Sequence, residues 1–161
     1  AAPGLSRREV RMAAVFQEDR LIEFLTPLEN AALALPGRSD PAVLFAECSR
    51  ILPGESLTRP VRTLSGGMRR RCCLMRALLS PARFLILDEP FTGLDPETKK
   101  EAIRCLLARA DGRLILLATH SEEDAALLGG HIVRLPRAIP DPLPASPTRE
   151  NGPEGGGAGL P

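Results

Sequence analysis

The stretch from Phe84 to Pro90 constrains the fold more than any other part of the sequence. It places the apolar residues Phe-Leu-Ile-Leu directly before Asp88 and Glu89, and Pro90 then ends the run. Such an apolar run predicts a strand that is buried on both faces inside a parallel sheet. Ligands of open α/β sheets bind at the carboxyl ends of the strands, so both carboxylates would face a ligand site. The alternative is a buried strand that happens to end in a polar turn.

The order of the two carboxylates suits a nucleoside triphosphatase. Asp88 can hold Mg²⁺ directly or through water. Glu89 can orient or deprotonate an attacking water. Together they make this strand end a candidate site of phosphoryl transfer.

Composition narrows the class of protein. The chain has 161 residues, which is enough for one domain with a hydrophobic core. Its net charge of +1 offers no electrostatic argument for binding to nucleic acid or anionic lipid. No apolar run approaches the ~20 residues of a membrane span, and no secretory signal is visible. The four cysteines lack metal-ligand spacing, so we interpret them as buried thiols of a reducing compartment.

The first half of the chain predicts one strand and a helical segment. Val10 to Phe16 reads as a strand, and Gln17 follows at its end, where a lone Gln is usually only a turn residue. Helices are predicted from Thr26 to about Leu35 and from Asp40 to about Ile51, each opened by a capping residue and a proline. Residues 20–63 are therefore predicted to form a small helical insert.

Ser65-Gly66-Gly67 opens a predicted helix over residues 66–80. Free N–H groups, the positive end of the helix dipole and the Ser hydroxyl make this an anion site, and the glycines allow close approach. An ordinary Ser N-cap with a glycine turn is the alternative. Apolar residues recur at helical spacing from Met68, whereas Arg69 to Arg71 are predicted to leave the buried side, and we assign them no role.

The second half predicts alternating helices and strands, which is typical of a parallel sheet with crossover helices. Asp95-Pro96 starts a helix to about Ala110, and a second buried strand covers 114–119. Ser121 caps a short helix that stops at Gly129-Gly130, and residues 131–135 are predicted to form a last strand. The segment 136–161 is rich in Pro and Gly and is predicted to be a disordered tail.

His120 stands at the end of the strand that follows the acidic one, on the same predicted sheet edge. A lone His after an apolar strand is usually structural, but this placement makes it a candidate partner of a γ-phosphate. His131 lacks that placement, and we interpret it as structural or exposed.

Several of these stretches, in this order and with this spacing, resemble the ATP-binding subunits of ABC transporters over about residues 9–135. Gln17 matches the family's Q-loop, and Leu64-Ser65-Gly66-Gly67-Met68 matches its signature motif. Leu85-Ile86-Leu87-Asp88-Glu89-Pro90 matches the Walker B strand. Gly93-Leu94-Asp95 matches the D-loop, and Thr119-His120 matches the switch histidine. Met68 departs slightly, because the family more often has Gln there. The resemblance implies an α/β fold of the P-loop NTPase kind, in which helices flank a parallel sheet and a small helical subdomain is inserted.

The resemblance also implies roles around ATP and Mg²⁺. Glu89 would be the catalytic base, His120 would hold the γ-phosphate, Asp88 would support Mg²⁺, and Gln17 would touch the Mg²⁺ or the attacking water.

Other implied roles concern a second subunit and a permease. Ser65, Gly66 and Gly67 would contact the γ-phosphate of ATP held by the opposite subunit, and Asp95 would link the two sites of the dimer. The Gln17 loop and the insert at 20–63 would dock against a transmembrane permease, with the protein on the cytoplasmic face of the plasma membrane.

The family's phosphate loop, Gly-x-x-x-x-Gly-Lys-Ser/Thr, is not found in the sequence. We therefore expect an N-terminally truncated chain that is inactive by itself. Its predicted parts are a remnant of the ATP-binding core at 1–19, a helical subdomain at 20–63, the signature helix with the rest of the core at 64–135, and a tail at 136–161. The resemblance favours a bacterial importer of the nitrate, sulfonate or taurine kind. The alternatives are a non-hydrolysing subunit that supplies only the signature half of an ATP site, and a non-transport ABC ATPase.

Overall fold

The computed structural model describes residues 11–37, 39–110 and 112–135. Strands and helices alternate along most of this range. The elements are β1 (Met12–Val15), α1 (Pro27–Ala32), α2 (Pro41–Cys48), α3 (Gly66–Leu79), β2 (Phe84–Asp88), α4 (Pro96–Leu107), β3 (Leu114–Ala118) and α5 (Glu122–Leu128), with two 3-10 turns at Gly54–Ser56 and Val61–Thr63.

The three strands form one parallel sheet in the order β1-β2-β3. The register aligns Val15 with Leu87 and Leu87 with Leu117. The residues that follow each strand therefore leave the sheet at the same edge. This topology confirms the predicted α/β fold with a parallel sheet flanked by helices.

Helix starts follow the predicted capping residues. Thr26 and Glu29 form a reciprocal capping box at α1, because Thr26 Oγ1 accepts from the Glu29 N–H and Glu29 Oε2 accepts from the Thr26 N–H. Asp40, Ser65 and Asp95 cap α2, α3 and α4 through side-chain oxygens.

Helices α1, α2 and α4 end three residues before the predicted ends at Leu35, Ile51 and Ala110. The chain continues to turn there, but with the tighter hydrogen bonds of a 3-10 turn: the N–H groups of these three residues bond to the carbonyls three positions earlier. The terminal hydrogen-bond pattern thus accounts for the difference.

The hydrophobic core joins one face of the sheet to α3 and α4. Leu85 and Leu87 are fully buried, and Ile115 and Leu117 pack against the same core. The prediction that the strands are buried on both faces is wrong, because the alternate positions of β2 are only half-buried and Leu114 and Leu116 of β3 are 67% and 58% exposed. Alternation arises because successive strand side chains point to opposite faces.

Residues 131–135 do not form the predicted last strand. All five are exposed, and a strand needs a neighbour to satisfy its backbone. His131 is exposed, in agreement with its interpretation. Ile132 begins a second compact unit, of which only 132–135 are described.

The predicted tail at 136–161 lies outside the described residues, and the boundaries proposed at residues 19/20 and 63/64 stay predictions. None of the helices in the described ranges has both the length and the apolar character needed to cross a bilayer.

Candidate active site at the carboxyl edge of the sheet

Glu89 and His120 meet at the carboxyl edge of the sheet. Glu89 follows β2 directly, and His120 lies two residues beyond the end of β3. One carboxylate oxygen of Glu89, Oε1, accepts from the His120 N–H at 2.8 Å and lies 2.7 Å from His120 Nδ1. The carboxylate favours the imidazole tautomer that carries its proton on Nδ1. This contact brings together two of the residues that the sequence predicts for the site.

Two hydroxyl groups surround the other oxygen of the same carboxylate. Thr92 Oγ1 and Thr119 Oγ1 each lie 3.3 Å from Glu89 Oε2. Sequence reasoning missed Thr92, although Pro90 directly after Glu89 is typical of a turn that returns the fourth residue to the first. The Thr92 N–H indeed bonds to the Glu89 carbonyl at 3.3 Å.

The backbone at Glu89 is strained. Its φ of +46° is the one positive value among the described residues other than glycine. The Glu89 N–H extends the sheet by one hydrogen bond to the Ala118 carbonyl at 2.9 Å, and the chain then turns sharply. Left-handed backbone at a residue with a Cβ costs free energy and is concentrated at functional sites.

The pKa of the Glu89 carboxyl is lowered. Partial desolvation pushes this pKa upward, but the hydrogen bonds and charge of His120, together with the Thr92 hydroxyl, lower it further than desolvation raises it. Glu89 is therefore a carboxylate at neutral pH. As such it can accept hydrogen bonds or a proton from water.

Asp88 and Gln17 lie at the same edge of the sheet. Asp88 is the last residue of β2 and is paired with Ala118. Val15 of β1 is paired with Leu87 of β2. Gln17 lies two residues after Val15, and Glu89 lies two residues after Leu87. The register therefore gives Gln17 and Glu89 corresponding positions, and Gln17 is exposed.

Arg70 is buried and holds the loop that carries Gln17, which corrects the prediction that it leaves the buried side. It is 5% exposed and donates to the carbonyls of Phe16 and Gln17, the latter at 3.0 Å, with Asp19 Oδ1 at 3.5 Å. Helical spacing offered a signal, because Arg70 shares a face of α3 with Cys73 and Ala77, both buried.

The neighbouring arginines are half-buried and also bond to backbone. Arg69 donates to the carbonyls of Leu64 and Arg62, and Arg71 donates to the Ile51 carbonyl. These contacts tie the first turns of α3 to the segments that precede it.

The Ser65-Gly66-Gly67 segment lies at the exposed start of α3. Ser65 Oγ accepts from the Met68 N–H at 3.3 Å, and a Cβ on Gly66 would have no atom within 4 Å. A Cβ on Gly67 would lie 3.3 Å from the Gly93 carbonyl oxygen. Gly67 therefore packs closely against the loop at Gly93, while Gly66 faces open space.

Asp95 connects that loop to α4. Its side chain accepts from the Thr98 N–H at 3.0 Å, and the hydrogen bonds from Thr98 lower the pKa of its carboxyl. The carboxylate is thus a stable N-cap. The structure does not bring Ser65 or Asp95 into contact with Glu89 and His120 through any described hydrogen bond.

The donor set fits Mg²⁺ only in company with phosphate. Among the described residues there is no group of three His, Cys, Asp or Glu side chains that could hold a metal ion. Mg²⁺ in nucleotide sites takes one or two carboxylates and completes its octahedron with phosphate oxygens and water. The carboxylate of Asp88, at the end of β2, is the type of ligand that such a site uses.

A family profile described as "ABC transporter" matches residues 3–92. The chain belongs to the ABC transporter family. The match includes the Gln17 loop, the start of α3 and the Asp88-Glu89 pair, whereas His120 lies beyond it.

Curated relatives of this ABC transporter protein serve both import and export. It is 38% identical over 141 residues to a taurine import ATP-binding protein of Mesorhizobium japonicum, covering 83% of this chain and 53% of the relative. A thiamine import ATP-binding protein of Photobacterium profundum is 35% identical over 121 residues, 71% of this chain and 50% of the relative. A Nod factor export ATP-binding protein of Ralstonia nicotianae is 39% identical over 138 residues, 78% of this chain and 41% of the relative. The chain spans about half the length of these relatives.

Solved structures agree on the fold. A dimeric bacterial ABC transporter cassette matches with a TM-score of 0.64 and 27% identity, over 74% of this chain and 56% of that one. A dimeric cassette bound to ADP and phosphate matches with a TM-score of 0.65 at 24% identity, over the same shares. The predicted fold of the P-loop NTPase kind is confirmed.

Proposed function

We propose that this chain is part of an ATP-binding and ATP-hydrolysing subunit of an ABC transporter, which powers transport through a partner permease. The observation that carries the proposal is the contact between Glu89 and His120 at the carboxyl edge of a parallel sheet, in a chain of this family. The lowered pKa of Glu89 supports it further, because a general base must be ionised.

In the proposed reaction Glu89 orients the attacking water and accepts its proton while the water oxygen bonds to the γ-phosphorus of ATP. The bond between that phosphorus and the bridging oxygen breaks, so that ADP and phosphate are released. His120 is fixed through Nδ1. Its Nε2 donates to a γ-phosphate oxygen in the imidazolium form, which carries a proton on both ring nitrogens. Thr92 and Thr119 hold the second oxygen of Glu89, so that the carboxylate keeps one orientation. Positioning of this kind supplies much of the catalysis in phosphoryl transfer.

We assign the metal to Asp88 and Gln17. Mg²⁺, when bound, neutralises charge that develops on the phosphate oxygens. Arg70 would act at one remove, because it fixes the carbonyls of Phe16 and Gln17 and thereby the loop.

We assign Ser65, Gly66 and Gly67 to ATP held by a second subunit. The exposed Ser65 hydroxyl and the open space at Gly66 support this role, because a phosphate could approach the helix N-terminus closely. Asp95 would link the two ATP sites, since the loop before it touches Gly67. The dimeric relatives of known structure support a paired subunit.

We further propose a bacterial importer at the cytoplasmic face of the plasma membrane, with the Gln17 loop and residues 20–63 against the permease. Relatives named for taurine, aliphatic sulfonate and thiamine import support this direction of transport. Phe24, exposed by 74%, and Ile22, exposed by 47%, offer apolar surface next to the Gln17 loop.

The test is a chimera in which residues 11–135 replace the corresponding part of the thiamine import relative. We expect Mg²⁺-dependent ATP hydrolysis, which Glu89→Gln lowers by about 10² to 10⁴-fold. The control is Glu97→Gln, because Glu97 is an exposed α4 side chain paired with Lys100. A folded chimera whose turnover is lost equally in both variants, or in neither, would contradict the proposal.

The exposed signature edge also favours a second candidate, a subunit that completes ATP bound elsewhere without hydrolysing ATP itself. Mixing the 161-residue chain with a complete relative whose signature Ser is inactivated distinguishes the two. The second candidate requires turnover in the mixture that Ser65→Ala abolishes and Glu89→Gln does not, whereas no turnover disfavours it. By itself the 161-residue chain is expected to show no ATPase activity above background.

A further inference from the structure

The position of the His120 ring depends on the backbone that carries it. The side chain is 81% exposed, so packing contributes little to holding it against Glu89. The segment around His120 is short: Ser121 follows, caps α5 through the Asp124 N–H at 3.1 Å, and donates its own N–H to Thr119 Oγ1 at 3.1 Å. The start of α5 therefore fixes where His120 lies.

Helix α5 needs an anchor. It has seven residues, and an isolated helix of that length is unstable in water. Asp124, in its first turn, is only 4% exposed, and its carboxylate Oδ1 lies 2.8 Å from Lys99 Nζ. Lys99 is in the first turn of α4, whose inner face is buried in the core through Ala102 and Leu106.

We propose that Lys99 is a positioning residue for the Glu89–His120 pair and acts through its ion pair with Asp124. Lys99 and Asp124 line a cavity of about 220 Å³ whose walls also include Glu89, Thr92 and His120. The Lys99–Asp124 pair thus lies beside the candidate active site and ties α5 to α4. A buried carboxylate that loses its cation is strongly unfavourable, so the start of α5 would move towards solvent.

The same anchor lies close to the loop that touches the signature segment. Lys99 is four residues after Asp95, the N-cap of α4, and Gly93 before it packs against Gly67. A shift of the α4 start would therefore reach His120 through Lys99. That Glu89 and His120 then act on ATP rests on the proposed function, whereas their positioning does not.

The sequence offers a well-controlled test, because Lys99 and Lys100 are the only lysines and His120 and His131 the only histidines. Lys100 bonds to the exposed Glu97, so Lys100→Gln is the matched control for Lys99→Gln. The full chain is labelled with ¹⁵N, and the ring nitrogens of His120 are observed at one pH together with amide hydrogen exchange. The exposed His131 is the internal reference.

We expect Lys99→Gln to weaken the Nδ1–H signature of His120 and to speed exchange of its amide at least about threefold, because the Glu89 contact opens more often. Lys99→Arg should restore both, and Lys100→Gln should change neither. Exchange of the Leu87 amide, in the central strand of the sheet, reports global unfolding. Faster exchange at His120 but not at Leu87 therefore indicates local opening. Unchanged His120 signals in folded Lys99→Gln, or equal changes at Leu87, would overturn the proposal.

A second arm uses the ATPase chimera. Lys99→Gln should lower kcat about tenfold with little change in KM, because a misplaced group impairs reaction more than binding. Equal kcat in the Lys99 and Lys100 variants would contradict the positioning role. Because the spectroscopic arm contains no nucleotide, an inactive chimera would count against the proposed function and not against the Lys99–Asp124 anchor.

Discussion

At the scale of the residue, Glu89 combines a strained backbone with a hydrogen-bonded carboxylate. Its φ of +46° lets the chain leave β2 while the side chain turns towards His120 and two Thr hydroxyls. A residue without a Cβ would adopt this conformation more easily. Stability and chemistry therefore favour different amino acids at this position.

Two substitutions that both delete the carboxylate separate the backbone from the side chain. We expect Glu89→Gly to be more stable than Glu89→Ala by about 1 kcal/mol, because only glycine relieves the left-handed strain. Urea unfolding midpoints measure the difference. At Glu97, inside α4, the order should reverse, since alanine is the better helix former. If Glu89→Ala were as stable as Glu89→Gly, the backbone at position 89 would not be strained.

The two signature glycines should respond differently to a methyl group. Gly67→Ala would bring Cβ to 3.3 Å from the Gly93 carbonyl oxygen, whereas Gly66→Ala would meet no atom within 4 Å. We expect the unfolding temperature to fall in Gly67→Ala and to stay equal or rise in Gly66→Ala, because alanine favours helix. Equal changes of the unfolding temperature in the two variants would contradict this prediction, because the loop at Gly93 would then accommodate the added methyl group without cost.

At the scale of the element, the buried side chain of Arg70 joins α3 to the Gln17 loop. Arg70 reaches the carbonyls of Phe16 and Gln17 and the carboxylate of Asp19. A guanidinium suits this arrangement because its planar fork carries several donors. The loop is therefore held by the signature helix.

Loss of the guanidinium should free the loop. We expect Arg70→Met to lower the free energy of unfolding by about 2 to 4 kcal/mol, because it leaves the acceptors unpaired. Trypsin should also cut faster after the exposed Arg20, as measured by the mass of the released fragment. Arg69→Met is the control, since its half-buried side chain bonds elsewhere. Equal cleavage of the two variants would argue against the anchoring role.

Much of the element plan was predictable because local chemistry decides it. Thr26, Asp95 and Ser121 are capping residues, and each caps the helix that the sequence predicts. Asp88, Glu89 and His120 follow from strand ends. The contacts of Arg70 could not be foreseen as easily, because its partners Phe16 and Gln17 are 54 and 53 residues away in the chain. The same holds for Lys99 and Asp124, which are 25 residues apart. Both sets of contacts depend on how the helices pack.

The exposed face of β3 depends on which neighbours cover the sheet. A run such as Leu114 to Leu117 predicts a strand, but whether its second face is covered depends on neighbours that periodicity does not reveal. The assumption of two covered faces came from the general behaviour of parallel sheets. Here the described core covers one face.

At the scale of the whole molecule, the thiols report on the integrity of the core. All four cysteines are free and buried, which confirms their interpretation as buried thiols. Burial raises the pKa of Cys72 to about 12 and that of Cys48 to about 11. Desolvation is the main cause, because a thiolate is unfavourable in an apolar environment.

Thiol chemistry should therefore follow unfolding. At pH 8 we expect the folded chain to react slowly with a disulfide reagent, and the guanidinium-unfolded chain to react at once. The raised pKa also gives a sign for stability: unfolded thiols ionise near 9.0, so stability falls as the pH rises from about 9 to about 12. Cys72→Ala should flatten that decline, and a decline of equal slope without Cys72 would contradict its assignment.

The in-register sheet has an evolutionary consequence. Because Val15, Leu87 and Leu117 lie side by side, the strand register sets the spacing of the points at which the chain leaves the sheet towards Gln17, Glu89 and His120. Insertions or deletions between the strands, even within the helices of residues 20–63, can therefore accumulate without altering that spacing. One deleted residue inside Phe84–Asp88 would instead withdraw Glu89 by about 3.3 Å and turn it to the opposite side of the sheet. Length variation among natural sequences should accordingly spare the strands and concentrate between them.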